Sequence, residues 1–283
     1  MTAAERSAAV FLSATGSRNL VSVNAIIRGK PDNLDEIGQR FERARVTRPV
    51  FLNSVPKAGT HLIRNIMRMF VAHDQHWRRE YIQHALLSRS RDAFSTDKPM
   101  ISWGHMLFSD EAAVALRDTR HIVLVRDPYD WVLARARFYL SDEFQGNLEH
   151  IKNGGATIED VIMMMILGAH GRVPDLKDVF TMNAVAWMGS SAVLVRYEDI
   201  VENLKDLGSR RAEAFFGRLL ADCGLDLPAD WRERVEAGAD PRESRTAREN
   251  LKVTVEVPKA LSDVHKQVVD FHAPGLRALL GYR

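Results

Sequence analysis

Short uninterrupted apolar runs alternate along this chain with stretches whose apolar residues recur at helical spacing. The run Pro49-Val50-Phe51-Leu52-Asn53-Ser54 predicts a buried strand, stopped by Pro56 and Gly59. From Thr60 to Val71 the pattern turns helical, with Leu62, Ile63, Ile66, Met67 and Phe70 on one face. Met100-Ile101-Ser102-Trp103 predicts a second strand, and Asp110 to Arg117 a short helix capped by Ser109. His121 to Val125 is a third strand, followed by Pro128 and a helix from Tyr129 to Leu140. Helices are expected over Ile158–Leu167 and Leu176–Met188, a fourth strand over Ala192–Tyr197, and mostly helix from there to Leu280. Residues 1–48 carry little pattern beyond a helix expected from Asp35 to Arg45, capped by Asn33 or Asp35.

Strands that are apolar throughout, alternating with helices, imply a parallel sheet covered on both faces. The expected fold is α/β, a P-loop-like doubly wound parallel sheet flanked by helices. It forms one domain over residues 1–283, with 1–48 as an N-terminal extension of undefined structure. In such folds ligands bind beyond the carboxyl ends of the strands. Lys57, His105, Arg126 and Tyr197 each fall at such an end.

Composition narrows the classes without naming one. The 283 residues are 46% hydrophobic and 27% charged, the balance of an ordinary soluble domain. A net charge of +2 gives no footprint for nucleic acid. The most apolar stretch, Val161 to Ala169, is too short to span a membrane, and the N-terminal run from Ala8 to Leu12 is too brief for a signal peptide. A single cysteine, Cys223, excludes an internal disulfide and reads as a buried helix residue. A cytoplasmic protein is the expectation, with no nucleic-acid partner and no membrane insertion; a homodimer is an open arrangement.

The loop Val55-Pro56-Lys57-Ala58-Gly59-Thr60 holds the first candidate chemistry. An anion needs unpaired amide N–H groups, a helix N-terminus and a mobile cation. Gly59, Thr60, His61 and Lys57 supply these types in this order. The loop is not a Walker A motif: Lys57 precedes the glycine, and no Lys-Ser or Lys-Thr pair supplies the magnesium-binding hydroxyl. By itself it reads equally as a plain strand-to-helix turn. Arg126-Asp127-Pro128-Tyr129-Asp130 adds an arginine at a strand mouth, placed for a bidentate phosphate grip, with Asp127 and Pro128 opening the next helix.

With these motifs in this order the chain resembles the sulfotransferases that use 3′-phosphoadenosine 5′-phosphosulfate (PAPS) and release 3′-phosphoadenosine 5′-phosphate (PAP). The family's 5′-phosphosulfate loop, Pro-Lys-Ser-Gly-Thr, stands here as Pro56-Lys57-Ala58-Gly59-Thr60, followed by His61-Leu62. Its 3′-phosphate motif stands as Arg126-Asp127-Pro128-Tyr129-Asp130, with Ala134 at the serine position. Its Tyr-Glu-Asp strand end stands as Tyr197-Glu198-Asp199, and its catalytic histidine falls at His105 in Ser102-Trp103-Gly104-His105-Met106. The similarity runs from about Pro49 to the C-terminus and includes the closing Leu279-Leu280-Gly281-Tyr282.

The resemblance implies a sulfuryl transfer from PAPS to a hydroxyl acceptor on a small molecule, sugar or lipid. His105 is then the general base and Lys57 stabilises the leaving oxygen. The segment Lys57, Ala58, Gly59, Thr60, His61 and Leu62 holds the 5′ end, and Arg126 the 3′-phosphate; no metal is required. The departures fall on the other half of the nucleotide. Ala134 removes a hydroxyl donor, worth roughly 1–3 kcal/mol, for which Arg135 or Arg137 are candidate replacements. Leu62 stands where a tryptophan often stacks on adenine, so Tyr197 is the expected adenine contact. A C-terminal arginine clamp on the 3′-phosphate maps to Arg248, with Arg245 as the alternative.

Other features carry less. His73, His76 and His84 lack the carboxylate or thiol pattern of a metal site. Residues 74–99, rich in arginine and aromatics, form a loop that would cover the acceptor. Ile162 to Ile166 is helix core or a pliable methionine-lined acceptor wall. Two other functions remain open at this point: a nucleotide-dependent kinase, and a non-catalytic module that binds PAP or PAPS.

Overall fold

The structure, a computed structural model, describes residues 32–144, 150–244, 250–253 and 255–283. Its sheet consists of β1 (Val50–Ser54), β2 (Ile82–Gln83), β3 (Ile101–His105), β4 (Arg120–Val125) and β5 (Val193–Arg196). The order is β2-β3-β1-β4-β5 and every pairing is parallel. The expected α/β architecture is therefore present. The chain leaves β1 toward β3 on one side and returns to β4 on the other, so the switch point of the sheet lies at the carboxyl end of β1.

Around these strands run α1 (Leu34–Gly38), α2 (Thr60–Arg68), α3 (Asp110–Ala115), α4 (Pro128–Leu140), α5 (Ile158–Leu167), α6 (Leu176–Asn183) and α7 (Tyr197–Leu204). They are followed by α8 (Arg210–Asp222), α9 (Trp231–Ala239), α10 (Asp263–His272) and α11 (Leu276–Leu279). The described residues fall into two compact units, one within 30–126 and 182–245, the other within 127–181 and 246–283.

The first unit contains the whole sheet, and the sequence shows why both faces are apolar. Phe51 is in register with Ser102 and His121, so these side chains share a face. There Phe51 meets the Phe94 ring at 5.4 Å, and His121 meets the Trp187 ring at 4.6 Å. Leu52, Trp103 and Ile122 share the opposite face, where Arg64 of α2 lies 4.4 Å from the Trp103 ring. Burial on both faces is what the unbroken apolar runs require.

The second unit is helical. Trp131 of α4 and Phe180 of α6, both fully buried, pack edge to face at 5.1 Å. Asp127 caps α4 by accepting from the Tyr129 N–H at 3.0 Å, with Pro128 in the first turn, as its sequence predicts. Asp127 also accepts two bonds from Arg277 of α11, at 2.8 and 3.0 Å.

Element boundaries differ from expectation where tertiary pairing intervenes. The helix expected over Asp35–Arg45 ends at Gly38, because Ala44 pairs with Val71 through bonds of 2.8 and 2.9 Å involving Phe70 and Ala72. The same pairing ends α2 at Arg68 instead of Val71. The helix expected to reach Met188 breaks at Ala184 (φ −135°, ψ −63°) into a short 3₁₀ turn, whose Trp187 indole donates to the Met106 carbonyl at 3.2 Å. Among the described residues no helix is long and apolar enough to cross a membrane.

Candidate active site

The loop between β1 and α2 has an unusual backbone. Lys57 (φ 68°) is the one non-glycine residue with positive φ among the described residues, and Gly59 (φ 103°) follows it. A left-handed lysine costs of order 1–3 kcal/mol and persists only where its surroundings impose it. The Ala58 N–H bonds back to the Val55 carbonyl at 3.0 Å, and Leu62 and Ile63 N–H groups both turn to the Gly59 carbonyl. Gly59, Thr60 and His61 precede the first bonds of α2, so their amides have no partner within the helix. Three adjacent amides at a helix start are able to cradle an anion.

Gly59 has a second reason to lack a side chain. A Cβ there would lie 2.4 Å from Cδ2 of Tyr197. Tyr197 begins α7 directly after β5, and its ring carries the Arg126 guanidinium at 4.5 Å. The loop, Tyr197 and Arg126 are thus one packed assembly at the ends of β1, β4 and β5. Arg126 Nε is buried without a hydrogen-bond partner, an uncompensated donor at a strand mouth.

His105 closes β3 beside this loop. Its Nδ1 lies 2.9 Å from the Ser54 carbonyl oxygen, which only accepts, so Nδ1 carries the proton and Nε2 is bare. Nε2 lies 3.1 Å from the Tyr81 hydroxyl, which donates to it. Ser54 Oγ bonds Thr60 Oγ1 at 2.5 Å and approaches His105 Nδ1 at 3.1 Å. Burial pushes the His105 pKa down to about 4; the Ser54 bond works against this, and the charge of Lys57 adds to the fall. His61 is pushed down to about 3 by burial, with Arg64 and Lys57 adding to it.

Asn53 fixes this end of β3. It is fully buried, donates to the Met106 carbonyl at 3.2 Å and accepts from the Met106 N–H at 2.8 Å. Asn53 and Ser54 were not expected in the site, and Tyr81 was expected only as one of the aromatic residues of the 74–99 segment over the acceptor. An asparagine and a serine closing an otherwise apolar strand were the available signal for the first two.

Of the residues expected in the site, Lys57, Ala58, Gly59, Thr60, His61, Leu62, His105, Arg126 and Tyr197 all lie in the sheet-bearing unit. Ala134 lies half-buried on α4 in the helical unit. The arginines considered as replacements for its missing hydroxyl are engaged there. Arg135 is buried, stacks on Trp131 at 4.8 Å and donates to the Met165 carbonyl, while Arg137 donates to the Pro258 carbonyl at 2.7 Å. Arg245 and Arg248 lie outside the described residues.

His73 and His76 come together with Asp35, but His84 does not join them. Asp35 pairs with Arg68 and Arg78, which hold its carboxyl well below the usual range although burial opposes them, and His76 Nε2 bonds the Val71 carbonyl. Two guanidinium groups on the carboxylate make this an ion-pair cluster. The 74–99 segment holds the edge strand β2, absent from the sequence reading, along with 3₁₀ turns.

No protein-family model matches the chain, and no curated protein matches it. Solved structures do. Mouse sulfotransferase SULT7A1 complexed with PAP superposes with a TM-score of 0.53 at 14% identity, covering 89% of this chain and 94% of its own. A retinol dehydratase in complex with androsterone and the inactive cofactor PAP gives a TM-score of 0.51 at 13% identity, covering 92% and 89%. The chain has the sulfotransferase fold.

Proposed function

We propose that this chain is a PAPS-dependent sulfotransferase that moves a sulfuryl group onto a hydroxyl of a small molecule, sugar or lipid, with His105 as general base. The observation that carries this reading is the Ser54 carbonyl bond to His105 Nδ1, which leaves a bare Nε2 one strand away from the Lys57 loop. A base needs a fixed tautomer with its lone pair presented. The amides of Gly59, Thr60 and His61 and the uncompensated Nε of Arg126 suit the anionic ends of the donor. That the two sulfotransferase-fold structures compared above hold PAP supports PAPS as the donor, and androsterone in one of them supports a small hydroxylated acceptor.

In this mechanism the acceptor oxygen attacks sulfur in line with the departing 5′-phosphate oxygen. Lys57 stabilises charge on that oxygen as the bond breaks, and the loop amides orient the 5′-phosphate. Arg126 holds the 3′-phosphate and so selects PAPS over ATP, backed by Tyr197, which also contacts the adenine side. The buried free Cys223 accords with a cytoplasmic setting.

The test is transfer of labelled sulfate from PAPS to a panel of phenols, alcohols and sugars in the presence of a magnesium chelator. Lys57→Ala and His105→Ala are each expected to abolish it, and full turnover in both would sink the mechanism. Magnesium-dependent turnover of ATP would favour a kinase. Thermal stabilisation by PAP with no transfer to any acceptor would favour a non-catalytic binding module.

A further inference from the structure

The base proposed above does not face an empty space. Its only proton-accepting nitrogen is already bonded to Tyr81, at 3.1 Å, and the two rings pack edge to face at 4.9 Å. We propose that Tyr81 is a catalytic residue: its phenol touches the acceptor and relays the acceptor's proton to His105 Nε2. This rests on the sulfuryl-transfer reading.

A phenol at this place has three possible roles: inert packing, a placeholder that swings aside for the acceptor, or a relay. The backbone argues against swinging aside. Tyr81 directly precedes β2, where Ile82 pairs with Gly104 and Gln83 with His105. The pairing is close enough that a Cβ on Gly104 would lie 1.8 Å from the Ile82 carbonyl oxygen. The register therefore fixes the Tyr81 backbone beside the base, and the hydroxyl bond and edge-to-face contact with His105 hold its ring there.

The hydroxyl's other neighbours argue against inert packing. Besides Nε2, the Thr60 and Ser54 side chains lie near enough to the Tyr81 hydroxyl to favour its ionised form against the larger effect of burial. Thr60 opens α2 in the anion-cradling loop, and Ser54 holds the far side of the imidazole. The phenol oxygen thus lies between loop and base, where an acceptor oxygen attacking a donor in that loop would arrive. Burial raises the Tyr81 pKa, so the phenol stays neutral, able to give one proton and take another.

As the acceptor oxygen forms its bond to sulfur, its O–H breaks and that proton passes to the Tyr81 oxygen. The original phenolic proton passes to His105 Nε2. The bond from sulfur to the bridging oxygen breaks, and its electron pair leaves on the 5′-phosphate of the nucleotide. Tyr81 ends as it began, a neutral phenol. His105 ends as an imidazolium whose Nδ1–H still bonds Ser54.

Three measurements on the full chain test this, the kinetic ones with labelled PAPS and both a phenol and a primary alcohol as acceptors. Tyr81→Phe is expected to lower kcat by roughly 10²–10⁴-fold, the usual worth of a proton-transfer group, with KM for PAPS and affinity for PAP within about twofold. The same variant should raise the His105 titration midpoint seen by ¹⁵N NMR, because a donor to the neutral ring is lost. In the unmodified chain, a proton inventory in mixed light and heavy water should curve, as two protons move together; this needs no variant to fold. Unchanged kcat in Tyr81→Phe, or a linear inventory, overturns the relay. Absence of transfer by the unmodified chain overturns the sulfotransferase reading itself, so the two failures are distinguishable.

Discussion

Replacing Gly59 with alanine tests whether the loop, Tyr197 and Arg126 form one assembly. The backbone sits at φ 103°, ψ 25°, a conformation that costs an L-residue of order 1–3 kcal/mol. The new methyl would also lie 2.4 Å from Cδ2 and 2.8 Å from Cε2 of the Tyr197 ring, about an ångström inside ordinary contact. Overpacking of this kind costs about 1–3 kcal/mol. The sum, about 2–6 kcal/mol, corresponds to a fall in Tm of at least about 4 °C at the rate of about 2–4 °C per kcal/mol for larger domains. Tyr197 carries Arg126 at 4.5 Å, so displacement of the ring should also weaken PAP binding. A double-mutant cycle separates the two costs. Tyr197→Ala removes the ring, so Gly59→Ala should cost about 1–3 kcal/mol less in that background, leaving only the backbone strain. Urea unfolding and PAP titration of all four proteins provide the readout. Additive effects, or a Gly59→Ala protein as stable as the parent, would refute the packing argument.

Other perturbations have equally definite outcomes. Asn53→Ala leaves the buried Met106 N–H without its partner, while the Met106 carbonyl keeps the Trp187 indole; the loss costs about 1–3 kcal/mol, and kcat should fall with stability as the end of β3 loosens. The pH dependence of kcat/KM should show no acid limb near 6.5, since burial holds His105 down to about 4. Buried His76 and His121 are both pushed down to about 3, so between pH 6.5 and 3 the unfolded chain binds protons that the folded one does not. Stability should therefore be full above pH 6.5 and decline as pH falls, with each histidine contributing a slope of up to about 1.4 kcal/mol per pH unit. His121→Gln should flatten that slope in urea titrations at stepped pH. Asp127→Asn keeps the cap of α4 but loses the charge partner of Arg277; a loss of about 1–2 kcal/mol is expected, and Arg277→Met should cost little more in that background.

The sheet and the first half of the site were legible in the sequence because local rules determine them. An unbroken apolar run bounded by Pro56 and Gly59 reads as a buried strand whatever surrounds it, and a residue after such a run lies at a carboxyl end. That logic located Lys57, His105 and Arg126 together. The remainder depends on contacts far apart in sequence. Tyr81 meets His105 only because the two-residue strand β2 pairs with β3, and two residues carry no period. The helix after Asp35 stops early because Ala44 pairs with Val71, a non-local contact that overrides a favourable local pattern. Gly59 was read as part of an anion loop; the space its missing side chain leaves is occupied by Tyr197, which opens a helix more than a hundred residues later.

Ser54 shows why these parts act as a unit. Its carbonyl fixes the tautomer of His105, and its hydroxyl holds Thr60 at the start of α2. It is in register with Leu124 of β4, and Val55, the next residue, donates its N–H to the Leu124 carbonyl at 3.0 Å. The proposed base on β3, the open amides at the start of α2 and the strand leading to Arg126 therefore share one anchor at the centre of the sheet. A displacement of the β1 end would move proton acceptor and anion cradle together, preserving their separation. On the sulfuryl-transfer proposal, in-line attack depends on that separation, so a buried serine closing the middle strand would do more for alignment than its single hydroxyl suggests.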